Sequence, residues 1–282
     1  LEDEKSDYLV YTGSELREYT SIYITRFLTK EQDHITKHDT LVKLKDSSLT
    51  LVGLGSLGSY VLLALAPLGI GKIRAVDHRT VNHHDVKHGF FLSEHLGEQR
   101  CAVLRKIFDI FVKRTRLEWY PLEVESTPAE EVLGDPDLIV SCSDQSLPSL
   151  HNYLNESCLK RNISWLSARF YGYYGEVGPT VIPYMTPCYK CYEYRVQSNI
   201  DEMRDSTRFE NRPKRSSENE LSLIVSTRML SEYVSLESIK MLTKRETPKT
   251  IGAVLSIDFQ NYRNTLHRVL KVPYCPACGQ HQ

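Results

Sequence analysis

A doubly wound α/β fold with a mostly parallel sheet and a C-terminal four-cysteine knuckle is predicted by three features of this 282-residue chain. From Leu49 onward, apolar runs of strand length alternate with helix-periodic segments, the pattern of strands joined through helices. The first run ends in a glycine-rich turn that opens a helix. Two C-x-x-C pairs, Cys188/Cys191 and Cys275/Cys278, stand late in the chain.

Each element follows in order. Residues 1–18 are polar apart from a strand-like "YLVYTG" and are expected to be an N-terminal segment ahead of a main domain over 19–282. "EYTSIYITRFLTKEQDHITKHDTLVKLKDSS" mixes helix and loop. "LTLVGL" is a buried-strand run, and "SLGSYVLLALAPLGI" a helix interrupted at Pro67. "KIRAVD" is a second strand. "SEHLGEQRCAVLRKIFDIFVKRT" has helical spacing that brings Leu96, Val103, Leu104, Ile107 and Ile110 near one face. "RLEWYPLEVE" and "PDLIVSCSD" supply strands, "SLPSLHNYLNESCLKRN" a helix, and "ISWLSARFYGYYGEVGPTVIP" further strands. Residues 197–220 are charged and nearly free of apolar side chains, which predicts a solvated crossover loop or a flap over a site. "LSLIVSTRMLSEYVSLESIKMLT" returns to helix, and "AVLSIDFQNYRNTLHRVLK" to strands.

The bulk composition removes several functions. The formal charge is -1, with 35 basic and 36 acidic side chains, so the basic excess of a nucleic-acid binder is absent. No apolar run approaches the roughly 20 residues that span a bilayer. Seven cysteines without an export signal point to metal binding in a reducing compartment, the cytoplasm, rather than to disulfides.

Two motifs carry chemistry. "GLGSLG" sets Gly53, Gly55 and Gly58 between a strand and a helix, where glycines let the backbone approach a phosphate and the helix N-terminus supplies N–H groups. This is the Rossmann-like signature of nucleotide-binding ancestry. Asp77 ends the next strand, placed for a ribose hydroxyl. Asp144, after the fourth strand, could hold Mg²⁺ against a triphosphate or simply cap the following helix. The four thiolates of Cys188, Cys191, Cys275 and Cys278 suit a closed, structural Zn²⁺ site. Cys101, Cys142 and Cys158 lie in apolar contexts and are expected in the core.

The glycine turn, Asp77, Asp144 and the paired knuckles, in that order, resemble the ThiF/MoeB/ubiquitin-activating-enzyme superfamily. The resemblance implies ATP·Mg²⁺-dependent adenylation of a peptide or protein C-terminus by a homodimer, with Asp77 as the ribose-binding acid and Asp144 as the metal-binding acid. Several family positions are altered. The second acid of the family's D-x-D is Arg79, and the N-L-x-R-Q-like segment reads Asp85-Val86-Lys87-His88-Gly89, with His88 in place of a phosphate-binding Arg. Arg100 replaces the helix Lys, and Arg26 is a loose match to the arginine supplied across the dimer. Adenylation concentrates negative charge on phosphorus among fixed cations, so these changes argue against retained ATP and Mg²⁺ chemistry.

"GPTVIPYMTPCYKCYEYR" (178–195) and "HRVLKVPYCPACG" (267–279) look like the ThiF-like component of azole-forming peptide cyclodehydratases. That resemblance implies a scaffold that binds the leader of a ribosomal precursor peptide and presents it to a YcaO cyclodehydratase, which uses ATP itself. "YLVYTG" would then be the remnant of a peptide-binding module. An active adenylyltransferase, with Asp144 and Arg100 as catalytic groups, is the alternative; a nicotinamide-dependent oxidoreductase leaves the cysteines unexplained.

Overall fold

Helix α1 (His34–Asp46) leads into strand β1 (Ser48–Val52), whose last four side chains are buried. The computed structural model describes residues 34–88, 90–112, 114–142, 148–171, 173–204 and 223–279. After the glycine turn, helix α2 (Ser56–Leu65) stops at a 3₁₀ turn, Ala66–Leu68. Pro67 lacks the N–H that would continue the helix, and Gly69 closes the turn in the left-handed region at φ +83°. Strand β2 (Lys72–Val76) follows, then a short helix α3 (His83–His88), helix α4 (Arg100–Phe111) and strand β3 (Arg116–Tyr120).

Helix α5 (Ala129–Leu133), strand β4 (Leu138–Cys142) and helix α6 (Pro148–Arg161) complete the second half of the winding. Strands β5 (Trp165–Tyr171) and β6 (Tyr174–Val181) form a hairpin. Helices α7 (Tyr189–Arg204) and α8 (Ile224–Thr243) precede a last hairpin, β7 (Ala253–Asp258) and β8 (Arg263–Arg268).

All eight strands join one sheet in the order β3-β2-β1-β4-β5-β6-β7-β8. The first five are mutually parallel, and β6, β7 and β8 add antiparallel. Strand β4 is buried on both faces, as a central parallel strand should be. On one face α2 packs on α8, and Leu57, Val61, Phe108, Leu230 and Val234 share a core. On the other, Val132, Leu154, Trp165 and Val181 form a second core with the four knuckle cysteines. Successive connections leave β1 and β4 in opposite directions, so the carboxyl ends of these neighbours open the crevice where doubly wound sheets bind ligands.

The doubly wound sheet expected from the sequence is therefore present. Two details differ. Helix α4 begins only at Arg100, because Gly97 at φ +83° and the Thr80–Gln99 bridge hold the preceding turn out of helical geometry. Leu96 thus lies outside the helix, 37% exposed, and Ile110 faces water at 76%, whereas Val103 and Leu104 are buried. The stretch expected as loop from 197 is helical through Arg204. Residues 205–220, the segment 1–18 and Arg26 lie outside the described residues. Among the described residues, no helix is long and apolar enough to cross a membrane.

Candidate functional site

The crevice is built on the glycine turn. Gly53 sits at φ +88° and donates its N–H to the Val76 carbonyl at 2.9 Å. A β-carbon on Gly58 would stand 1.8 Å from the Gly53 carbonyl oxygen, so α2 can close on β1 only because that position is bare. Gly55 is the N-cap of α2, and Ser59 steadies the turn by donating to the Leu54 carbonyl at 3.0 Å.

Asp77, the first residue past β2, is 6% exposed. Its carboxylate accepts from the Leu54 N–H at 2.7 Å, the Arg79 N–H at 2.8 Å and Arg100 Nη1 at 2.9 Å. Arg100, 5% exposed, turns its other edge to Asp85: Nε donates at 3.1 Å, and Nη2 at 2.8 and 2.9 Å. Asp85 is 1% exposed and forms a capping box on α3, exchanging N–H bonds with Asn82 at 2.9 and 3.0 Å. Burial alone would lower the pKa of Arg100, but the charges of Asp77 and Asp85 outweigh it and raise it. One guanidinium is therefore held between two carboxylates, its charge neutralised underneath the turn.

A cavity of about 230 Å³ opens beside this triad. Val52, Val76, Leu122, Val124 and Leu150 give it apolar walls, and Gly53 and Gly55 line it while Gly58 packs behind. Its charged lining sets Asp77, Glu123 and Glu125 against Arg79 and Arg100. His78 stands 3.8 Å from Glu123. Among the described residues, the apolar walls and the Asp77 carboxylate fit a nucleoside. Asp144 and the side chain of His88 lie outside the described residues. Asp85 as the second anchor of Arg100 escaped the sequence reading, although the Asn82-x-x-Asp85 capping pattern was there to be seen.

The four predicted ligand cysteines come together although 87 residues separate the pairs. Their sulfurs lie within 4.8 Å of one another, all buried, and could hold a metal ion. The separations Cys188–Cys275, Cys191–Cys278 and Cys188–Cys191 are 3.7, 3.6 and 3.9 Å. Four sulfurs tetrahedrally placed about 2.3 Å from one ion would be about 3.8 Å apart, whereas disulfide sulfurs lie at about 2.05 Å. The Cys188 thiol and the Val272 N–H both donate to Cys191, which holds it well below the usual thiol range, and Cys188 is pushed up by the same contact and by burial. Gly279 completes the second knuckle; a β-carbon there would come within 2.7 Å of the Cys275 backbone.

A buried polar cluster ties this knuckle to the sheet. Arg169 on β5 donates from Nε to Glu176 on β6 at 2.8 Å, from Nη1 to the Tyr189 hydroxyl at 2.8 Å, and from Nη2 to the Tyr192 hydroxyl. Tyr189 and Tyr192 belong to the first turn of α7, beside Cys188 and Cys191. No sequence pattern marks this cluster, since Arg169 and Glu176 meet through hairpin pairing and the tyrosines reach them from a helix.

The ThiF family model matches residues 30–278. The adenylyltransferase and sulfurtransferase UBA4 of Candida albicans is 28% identical over 158 residues, 55% of this chain and 35% of that protein. The sulfur carrier protein adenylyltransferase of Thermus thermophilus is 29% identical over 154 residues, 53% of this chain and 56% of that protein. The chain thus spans between about a third and just over half of these curated relatives. Among solved structures, E. coli MccB with ATP superposes with a TM-score of 0.71 at 20% identity, covering 86% of this chain and 70% of MccB. MccB has also been solved in complex with N-formylated MccA. PaaA superposes with a TM-score of 0.70 at 16% identity, covering 96% of this chain and 88% of PaaA. At these identities the likeness is one of fold.

Proposed function

Because this chain belongs to the ThiF family, we propose that it is a ThiF-like scaffold rather than an adenylating enzyme. It binds the leader of a ribosomal precursor peptide and presents the peptide to a YcaO cyclodehydratase for thiazole or oxazole formation. The single observation that carries this reading is the Asp77–Arg100–Asp85 triad. The cation at the family's lysine position is buried and shared between two carboxylates. A group so occupied cannot follow the charge that builds on phosphorus during adenylyl transfer. Glu123 and Glu125 at the cavity add charge of the wrong sign.

The four cysteines hold Zn²⁺ in a closed site with no position for substrate, so the ion is structural. It fastens the Cys275–Cys278 segment to the start of α7, and Arg169 carries that fixed point into the sheet. Cytoplasmic reducing conditions keep the thiolates available for the metal. The working unit is a homodimer, as the family resemblance implies.

An adenylyltransferase acting on a peptide or sulfur-carrier C-terminus is the second reading. It is favoured by the tight Gly53–Gly58 packing, which preserves the nucleotide-binding turn, and by the names of the curated relatives. One experiment separates the two: binding of ATP·Mg²⁺ and of candidate leader peptides to the purified chain, in parallel with pyrophosphate release. Leader binding without pyrophosphate is expected. Pyrophosphate formed by this chain alone, dependent on added peptide, refutes the scaffold.

A further inference from the structure

The last strand of the sheet has an outer edge that no described element covers. All six residues of β8 are exposed, and β8 pairs with β7 through an uninterrupted register from Asp258–Arg263 to Ala253–Arg268. Sheets usually blunt such an edge with a bulge, a proline or charged side chains; this one has no bulge or proline, and the charged side chains of its last strand are of one sign. The Val269 N–H bonds to the Gly252 carbonyl at 2.9 Å, which fixes the alternation along the strand. Thr265 and His267 therefore turn their backbone groups toward β7. Asn264, Leu266 and Arg268 turn theirs to the open side.

The edge is basic. Arg263, His267 and Arg268 lie on it, Lys271 follows, and Arg195 of α7 donates to the Leu270 and Lys271 carbonyls at 3.4 Å. Asp258 faces Arg263 across the hairpin as the local counter-charge. The strand then runs on into a groove of about 440 Å³ between Tyr194, Arg195, Val272, Pro273 and Tyr274. Tyr274 is held at φ +57° with its ring 97% exposed, and Leu270 is 66% exposed. A strained backbone that presents an aromatic ring to water is a feature of binding sites.

We infer that the β8 edge and its adjoining groove form a docking surface for an extended acidic peptide, added to the sheet as a further strand. This rests on the scaffold reading and supplies the place where the leader binds. Charge chooses the occupant: Arg263 and His267 project from one face of the strand and Arg268 from the other, so an acidic strand finds opposite charge on whichever face its carboxylates lie. The outward backbone groups at 264, 266 and 268 give it hydrogen bonds that need no particular sequence.

The test uses the full chain and a fluorescein-labelled peptide of alternating Glu and Val, read by anisotropy, with a Lys–Val peptide as control. Wild type is expected to bind the acidic peptide, more weakly as salt rises, and to ignore the basic one. Leu266→Pro deletes one outward N–H without touching the bonds to β7, and is expected to weaken binding up to about tenfold. Arg263→Glu with Arg268→Glu, which involves no backbone change, is expected to reverse the preference between the two peptides. Equal binding by wild type and the charge-reversed chain overturns the inference, as does failure of wild type to bind the acidic peptide. Slow hydrogen exchange at 264, 266 and 268 in the free chain overturns it too, because the edge would already be covered by residues 1–33 or by a second copy. Leader peptides that bind wild type and both variants equally would leave the scaffold reading standing and this site refuted.

Discussion

Replacing Arg100 by Met keeps roughly the volume of the side chain and removes its charge. Arg100 makes three close nitrogen contacts, Nη1 to Asp77 at 2.9 Å, Nη2 to Asp85 at 2.8 Å and Nε to Asp85 at 3.1 Å, in surroundings where none of the three residues is more than 6% exposed. The substitution leaves two buried carboxylates facing an apolar side chain. Breaking a buried pair from one side costs about 3–5 kcal/mol. For a chain of 282 residues that is a fall of about 5–8 °C in melting temperature. Urea unfolding followed by circular dichroism at neutral pH reads the deficit against wild type. Arg100→Lys, which keeps the charge but loses the fork, should fall between. A deficit below about 1 kcal/mol would refute the tie and return Arg100 to the phosphate.

Three further outcomes follow from the same geometry. Gly58→Ala should destabilise the chain by about 3 kcal/mol or prevent folding, because the new carbon meets the Gly53 carbonyl oxygen at 1.8 Å; thermal melting checks it. A strong chelator should release close to one metal ion per chain, counted by mass spectrometry, and expose the four knuckle thiols to an alkylating reagent; Cys278→Ser should do the same without chelator. Burial pushes the Cys158 thiol up from 9.0 to about 12. The folded state therefore keeps a proton that the unfolded state has lost, so stability is intact below about pH 9 and declines as pH rises toward 12, at up to about 1.4 kcal/mol per pH unit. Cys158→Ala should flatten that alkaline decline in a pH series of urea unfolding curves.

What the sequence made legible was local. The strand–glycine turn–helix unit, the break at Pro67 and the four-cysteine set each depend on residues close together or on a spacing with one chemical meaning. The partners of Asp77 were not legible. A carboxylate at the end of a strand looks the same whether it awaits a ribose or already holds a buried guanidinium, and the answer lies 23 residues away at Arg100. Helix α3 was missed because six residues carry little periodicity, and only the Asn82–Asp85 box marks its start. Leu96 and Ile110 misled for a similar reason: periodicity counted them into α4, but Gly97 had already ended the turn that carries Leu96.

The knuckle has a consequence for assembly. Its two halves bracket α7, α8 and the β7–β8 hairpin, so an ion seated there fastens a span of 87 residues into a closed ring. By analogy with a covalent cross-link, a ring of that length removes about 4–5 kcal/mol of unfolded-chain freedom. The stretch cannot be fastened until its last cysteine has been synthesised, so the outermost strand is secured only after Cys278 has been made and only where metal is to hand. Supply of the ion would then set how many finished chains carry a firm sheet margin.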